Sequence, residues 1–409
     1  MTKDTLEYRL QIKEMELNTL FETIQAINDN EPEEHLYRIY KFTLRSRQHI
    51  GRLALFVMEE ETEKWECKSN FGIDGNAQEA ELPASIKEIE EIADLNKSEA
   101  VVFFQQFDKV IPIKHKEVIL AYVLIGKAKG ENIEGIDFIE ALSNIIIVAI
   151  ENKKLARKQS RQEIIRRQMD IAKDVQSLLF PKKLPYNDKL KIAASYKPHH
   201  TVGGDYYDFI EIDAHRFMLC IADVSGKGVP AAILMSNFQA ALRTLVRKQT
   251  PLKEVIEELN HLIMQNARGE NFITAFFVEY DFLSQKMQYV NAGHNPPFLF
   301  TEGKVLFLEN GTTIIGGFEP LPLLEITTVA VSDFLLFCFT DGFTETYNDN
   351  NEEFGVQLLG DFIASNLSLD QKELHKQLLS YLNTFKGNNA YADDITLLSC
   401  SVNSNHRAS

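Results

Sequence analysis

The run Gly203-Gly204-Asp205-Tyr206-Tyr207-Asp208-Phe209, followed closely by Ile221-Ala222-Asp223-Val224-Ser225-Gly226, constrains this chain more than any other stretch. Between the two lies a β-hairpin pattern: Asp205 to Ile212, a polar break at Asp213-Ala214-His215, and an apolar return from Phe217 to Ala222. A turn centred near Ala214 sets Asp205 opposite Asp223. The period of two along a strand then sends both carboxylates out of one face. Carboxylates opposed on a buried hairpin repel each other, and a divalent metal between them is the first candidate to relieve that.

A chain of 409 residues has room for two or three domains. A net charge of -16 argues against nucleic acid or an anionic membrane as the main partner. No apolar run approaches the ~20 residues that span a bilayer. Residues 1–20 are charged and helix-like, unlike a signal peptide, so membrane insertion is not expected. Cys67, Cys220, Cys338 and Cys400 are far apart, the last three in strand-like runs. They read as reduced, buried thiols of a cytoplasmic protein, without metal spacing.

From the N-terminus, Leu6, Leu10, Met15, Leu17, Leu20, Ile24 and Ile27 make residues 3 to about 28 an amphipathic helix, suited to a second copy or to the next domain. A mixed α/β segment follows. Its expected elements are a helix over 35–48, strands over 52–58 and 65–69, a turn at 71–75, a helix over 85–95, and strands over 101–104, 109–114 and 118–126. From Ile136 to about Leu179 nothing breaks a helix, and Ile164, Gln168, Ile171, Val175 and Leu178 form a heptad-like seam ending at Phe180-Pro181. The basic run Lys153, Lys154, Arg157, Lys158, Arg161, Arg166 and Arg167 reads as a solvated helix face.

Beyond Leu190 come long apolar strands and two helices, the first opened by Pro230. The preceding Ser225-Gly226-Lys227-Gly228 loop lacks P-loop spacing, so it is not read as a nucleotide cradle. Phe334 to Phe339 is apolar on both faces, hence a central strand between layers, and it ends in Thr340-Asp341-Gly342. Ala392-Asp393-Asp394 leads into a further buried strand. Four strand ends therefore each place an aspartate beside an apolar run: Asp205, Asp223, Asp341, and Asp393 or Asp394. Turn preference accounts for one such aspartate but poorly for four. Oxygen-only ligands point to Mg²⁺ or Mn²⁺, and carboxylates bridging two such ions suit hydrolysis of a phosphate ester by an activated water.

The strings GGDYYDF at Gly203, IADVSGKGVPAAILMS at Ile221, NAGHNPP at Asn291, FTDGFTE at Phe339 and ADDITLL at Ala392 resemble the SpoIIE/RsbU-type branch of the PPM serine/threonine phosphatases. The helix end IAKDVQSLLFPKKLP, Ile171 to Pro185, is similar to the lead-in of RsbU-like regulators. The resemblance implies an α+β chain whose C-terminal domain is an α-β-β-α sandwich with two Mn²⁺ or Mg²⁺ ions between its sheets. It implies a phosphoserine or phosphothreonine substrate on a STAS-domain anti-anti-sigma-type protein, within partner switching. Asp205 would bridge or ligate the metals and Asp223 would bridge them. Val224 would offer its backbone carbonyl where many relatives have glycine. Asp341 and Asp393 would hold the second metal, with Asp394 the fallback for Asp393. His294 is read as structural rather than as a catalytic acid, His199 and His200 as surface loop residues, and Asp208 as capping or orienting the site. The chain departs from the family pattern at Thr313-Ile314-Ile315-Gly316-Gly317 and Ser332-Asp333, away from these ligands. No arginine is assigned to the phosphate.

The element order before the linker resembles a GAF-like sensor domain, used for a small ligand or for dimerisation. The expected layout is an N-terminal helix (1–30), a GAF-like α/β domain (31–150), a coiled-coil-like helical linker (151–182), a PPM-type domain (183–402) and a disordered tail (403–409). The helices suit a homodimer. The alternative is a catalytically silent scaffold on the PPM fold that binds a partner and dimerises.

Overall fold

The computed structural model describes residues 3–46, 50–59, 62–95, 102–128, 135–199, 201–267 and 270–403. It divides into two compact units, Met1–Glu163 and Ile164–Ser409.

In the first unit, α1 (Lys3–Asn28) and α2 (Glu33–Arg45) precede β1 (Ile50–Glu59) and β2 (Lys64–Phe71). After α3 (Ala84–Lys87) come β3 (Ala93–Asp94), β4 (Lys109–His115) and β5 (Val118–Lys127), giving an antiparallel sheet of order β2-β1-β5-β4-β3. Alternation divides β1 between two cores. Leu53, Leu55 and Val57 meet Tyr40 and Leu44 of α2, together with Leu142 and Ile146 at the start of the long helix α4 (Ile136–Ser177). Ala54 and Phe56 face the other way, where Phe104, Phe107, Tyr122 and Ile86 fill the space over the sheet.

Two expected elements differ. The helix over 85–95 is confined to the four residues of α3, because Ile86 is its one buried side chain and Ala93 instead pairs with Val110 at the sheet edge. A turn so short has little stability of its own, and the ladder takes the backbone. The strand over 101–104 is replaced by a 3₁₀ turn at Val102–Gln106; Val101 lies outside the described residues. The Gln106 side chain bonds Phe103 O at 2.7 Å and Asp74 N at 2.8 Å. The tight winding brings Phe104 and Phe107, three apart, into the same core.

Helix α4 runs 42 residues, as its unbroken pattern predicts. Its basic run is not wholly a solvated face. Lys153 Nζ bonds the carbonyls of Asn30 (2.9 Å) and Glu31 (2.7 Å), and Lys154 pairs with Glu59 at 3.2 Å.

The second unit is an α-β-β-α sandwich. Its first strands are β6 (Leu190–Lys197), β7 (Tyr206–Glu211) and β8 (Arg216–Val224), followed by α5 (Val229–Arg247) and α6 (Leu252–Ala267). Then come β9 (Ile273–Asp281), β10 (Lys286–Ala292), β11 (Phe298–Thr301), β12 (Lys304–Phe307), β13 (Gly311–Thr312), β14 (Thr327–Ala330) and β15 (Phe334–Phe339). The short helix α7 (Asp341–Thr344), then α8 (Gly355–Ser365), α9 (Gln371–Phe385) and β16 (Ile395–Val402) complete it. One sheet has the order β13-β10-β9-β8-β7, with β14 also on β10; the other is β12-β11-β15-β16-β6.

The three cores follow from strand alternation. On β8, Met218, Cys220 and Ala222 face Phe238, Leu242 and Ile256 of the first helix pair, while Phe217, Leu219 and Ile221 face the second sheet. On β15, Leu336 and Cys338 look into the inter-sheet core, and Phe337 and Phe339 meet Leu359 and Leu378 of the other helices. Strand β15 is thus central and buried on both faces.

Helix α5 corrects the expectation that no segment could span a bilayer, since its length and composition allow it. Ala231, Leu234, Met235, Phe238, Leu242 and Val246 are buried against the sheet, so that apolarity is used in the core. All four cysteines are free, and Cys220, Cys338 and Cys400 are buried. Residues 404–409 of the expected tail lie outside the described residues.

Candidate active site

The hairpin register pairs Tyr206 with Ala222, which sets Asp205 level with Asp223 at its open end. Asp223 continues on its other side to Thr274 of β9. From the opposite sheet, β15 ends at Phe339 and delivers Asp341 through Thr340, while Asp393 and Asp394 precede β16. Asp223, Asp341, Asp393 and Asp394 line one pocket of about 240 Å³, together with Gly203, Gly204, Val224 and Lys227.

Asp205 stands behind that wall at 1% exposure. Its Oδ2 accepts hydrogen bonds from Thr340 Oγ1 (2.8 Å) and Thr396 Oγ1 (2.5 Å), and its carboxyl feels the charge of Asp223. The adjacent aspartates face different partners. Asp394 is 6% exposed and taken up by backbone: Oδ1 accepts from His199 N at 2.7 Å, and Oδ2 from Gly204 N at 2.7 Å. The Asp393 side chain is 44% exposed and bonds Lys227 Nζ at 2.8 Å.

Glycines permit this convergence. A Cβ on Gly203 would lie 2.1 Å from Asp394 Oδ2, and one on Gly342 would lie 2.1 Å from the Asp394 carbonyl. Such contacts require the chain to move. The Val224 side chain is buried under the helices, and its carbonyl would lie 2.8 Å from a Cβ on Gly204.

Crowded acids with one nearby cation titrate abnormally. Burial, then the charges of Asp341, Asp393 and Asp394, push the Asp223 carboxyl up to about 7. Asp205 is raised well above the carboxylate range by burial and by Asp223. Asp341 is raised by burial and Asp393, with Lys227 pulling the other way. Among the described residues no three His, Cys, Asp or Glu side chains close into a metal cage. The donor chemistry nevertheless fits a hard divalent cation, because the part-buried carboxylates of Asp223 and Asp341, both with raised proton affinity, face one pocket together with Asp393.

His294 does not line the pocket. It is buried, its Nδ1 lies 3.0 Å from Thr274 Oγ1, its N–H bonds Asn291 Oδ1 at 2.8 Å, and burial pushes the imidazole down to about 4. His199 is exposed and contributes its backbone N–H; His200 lies outside the described residues. Asp208 is elsewhere and does not orient the site. Fully buried, it accepts bonds from Arg243 Nε (2.7 Å) and Nη2 (2.9 Å), from Phe209 N (2.9 Å) and from the Tyr206 hydroxyl, fastening α5 to β7. In the departing segment, Ile315 pairs with Ile273 of β9, between the pocket residues Phe272 and Thr274.

Sequence reasoning missed two groups. Lys227 is the cation among the pocket-lining residues, and it also bonds the Ala392 carbonyl at 2.9 Å. Its signal was present in the Gly226-Lys227-Gly228 loop, whose glycines have φ of 90° and 73°. Gln176 is buried and bonded to Gly203, and a polar residue off the heptad seam at the helix end was its signal.

Residues 213–403 match the family model described as stage II sporulation protein E. The chain is 30% identical over 242 residues to phosphoserine phosphatase RsbU of Bacillus subtilis, covering 58% of this chain and 70% of that protein. It is also 30% identical over 183 residues to phosphoserine phosphatase RsbP of the same organism, 43% and 45% of the two chains. Among solved structures, the SiaA PP2C domain of Pseudomonas aeruginosa superimposes with a TM-score of 0.53 at 20% identity, covering 59% of this chain and 99% of that domain. That likeness is one of fold.

Proposed function

Given that the chain belongs to the SpoIIE/RsbU-type PPM serine/threonine phosphatases, we propose that it dephosphorylates a phosphoserine or phosphothreonine on a STAS-domain regulator in a bacterial partner-switching pathway. The observation that carries this is the convergence of aspartates from separate strand ends on one pocket, with Asp223 raised by burial and by its neighbours.

Two Mn²⁺ or Mg²⁺ ions would be held by Asp223, Asp341, Asp393 and the Val224 carbonyl. When bound, they would neutralise phosphoryl oxygens and supply an activated water. Asp205 acts through Asp223, oriented by the Thr340 and Thr396 hydroxyls. Asp394, occupied by His199 and Gly204 backbone, holds the loop rather than an ion. Lys227, which bonds Asp393 at 2.8 Å, would offer its ammonium to the phosphate if Asp393 held a metal. A neutral His294 braces Thr274 and gives no proton at physiological pH.

The exposed apolar residues of α1 (Leu10, Leu17, Phe21, Ile24) and α4 (Ile164, Ile171, Val175), with Leu178 just beyond it, support homodimerisation through these helices. A cytoplasmic location fits the buried free thiols.

The test is hydrolysis of a phosphorylated STAS protein with and without Mn²⁺, alongside Asp341→Asn and Asp393→Asn. The expected result is Mn²⁺-dependent release of phosphate, abolished in both folded variants. Inert parent protein that binds no Mn²⁺ by calorimetry would favour the silent scaffold.

A further inference from the structure

We infer that Gln176, in the last turn of α4, is a positioning residue for the Gly203-Gly204-Asp205 corner of the phosphatase site. The inference rests on the function proposed above, but its geometry stands apart from any metal. From Glu151 to Val175 no residue of α4 is buried; Gln176 is, although it is polar. Its side-chain amide clasps one backbone residue at two points. Nε2 donates to Gly203 O at 2.7 Å, and Oε1 accepts from Gly203 N at 3.2 Å.

The peptide unit joining Gly203 to Gly204 is therefore gripped from both sides. Its carbonyl is held by Gln176, and its N–H is held by Asp394 Oδ2 at 2.7 Å. Rotation of that unit breaks both bonds together, because its two ends point in opposite directions. The clasp thus fixes the peptide plane that holds Asp394 and leads directly into Asp205. Phe180, just beyond the helix, packs on Tyr196 and Tyr207 with ring centroids 5.0 Å away in each case. The helix end has an apolar and a polar hold on the hairpin, and the polar one sets the peptide orientation. The seam residues Ile164, Ile171, Val175 and Leu178 remain exposed, so pairing of that seam need not disturb the clasp.

The experiment uses the full chain with Gln176→Leu, which keeps the bulk, and Gln176→Glu, which accepts from Gly203 N but repels its carbonyl. Hydrogen exchange of the Gly203–Asp205 amides in metal-free protein is expected to speed up about tenfold, the loss of roughly one hydrogen bond. The Mn²⁺ dissociation constant by calorimetry should rise by about the same factor. At saturating Mn²⁺ the KM for phosphoprotein should stay unchanged. Parent-like exchange at these amides with parent-like Mn²⁺ affinity in a folded variant overturns the inference. If Gln176→Leu misfolds by near-ultraviolet circular dichroism, Gln176→Glu decides. If the parent binds no Mn²⁺, the metal reading has failed, and the exchange rates alone support or overturn the clasp.

Discussion

Replacing Asp208 with alanine separates a fold-holding carboxylate from a site carboxylate. Asp208 sits in the same heptapeptide as Asp205, yet its side chain is fully buried against Arg243, which retains 28% exposure. Four hydrogen bonds end on it. Removing one partner of a buried ion pair costs about 3–5 kcal/mol, because the other charge is left without compensation. Arg243 can turn toward water, which places the cost near the bottom of that range, about 3 kcal/mol. For a unit of this size each kcal/mol lowers Tm by about 2–4 °C, so a fall of about 6–12 °C is expected. The assay is calorimetric melting of the full chain, paired with Mn²⁺-dependent hydrolysis of p-nitrophenyl phosphate at 15 °C. Activity per folded molecule should stay within about twofold of the parent, since Asp208 does not touch the pocket. The double variant Asp208→Leu with Arg243→Met should recover most of the loss. An unchanged Tm with a hundredfold loss of activity would refute the reasoning.

Further outcomes follow from the same geometry. Lys227→Met removes the ammonium on Asp393 and should raise Mn²⁺ affinity several-fold by calorimetry while raising KM for phosphoprotein; no change in either would remove Lys227 from the site. In metal-free protein the raised Asp223 carboxyl binds a proton more tightly when folded. Its contribution to stability is therefore full below the unfolded value near 4 and is lost as pH rises toward about 7; urea midpoints at pH 5 and pH 8 check this. The same proton competes with metal, so Mn²⁺ affinity should fall as pH drops below about 7. Gly203→Ala forces a Cβ to 2.1 Å from Asp394 Oδ2, and loss of Mn²⁺ binding with retained far-ultraviolet circular dichroism is expected. Phe104→Ala should cost the first unit about 3–5 kcal/mol through a cavity, seen as a selective shift of its melting transition.

Much of the fold was legible because alternation is local. The register of β7 with β8 follows from a turn centred on Ala214, and the doubly apolar run at Phe334 marked a central strand. The four aspartates were legible for the same reason, since each stands at one end of an apolar run. What escaped depends on encounters between distant segments. The bond from Gln176 to Gly203 spans 27 residues and that from Lys227 to Ala392 spans 165, with no periodicity to announce either. Asp208 misled because its neighbours belong to the site, whereas strand alternation turns it toward Arg243. The helix over 85–95 failed because a sheet edge competed for its backbone, and the strand over 101–104 because two phenylalanines three apart favour a tight turn over a pleat.

The placement of β7 has a consequence for how such a catalyst can be adapted. Among the described strands β7 lies at one edge of its sheet, bonded to β8 alone, whereas β15 has a neighbour on each side. Asp341 therefore follows an interior strand of one sheet, and Asp205 precedes an edge strand of the other. Mutation can retune that edge through whatever braces it, leaving the strand that carries Asp341 untouched. Lineages built on this plan can acquire new inputs without rebuilding their chemistry.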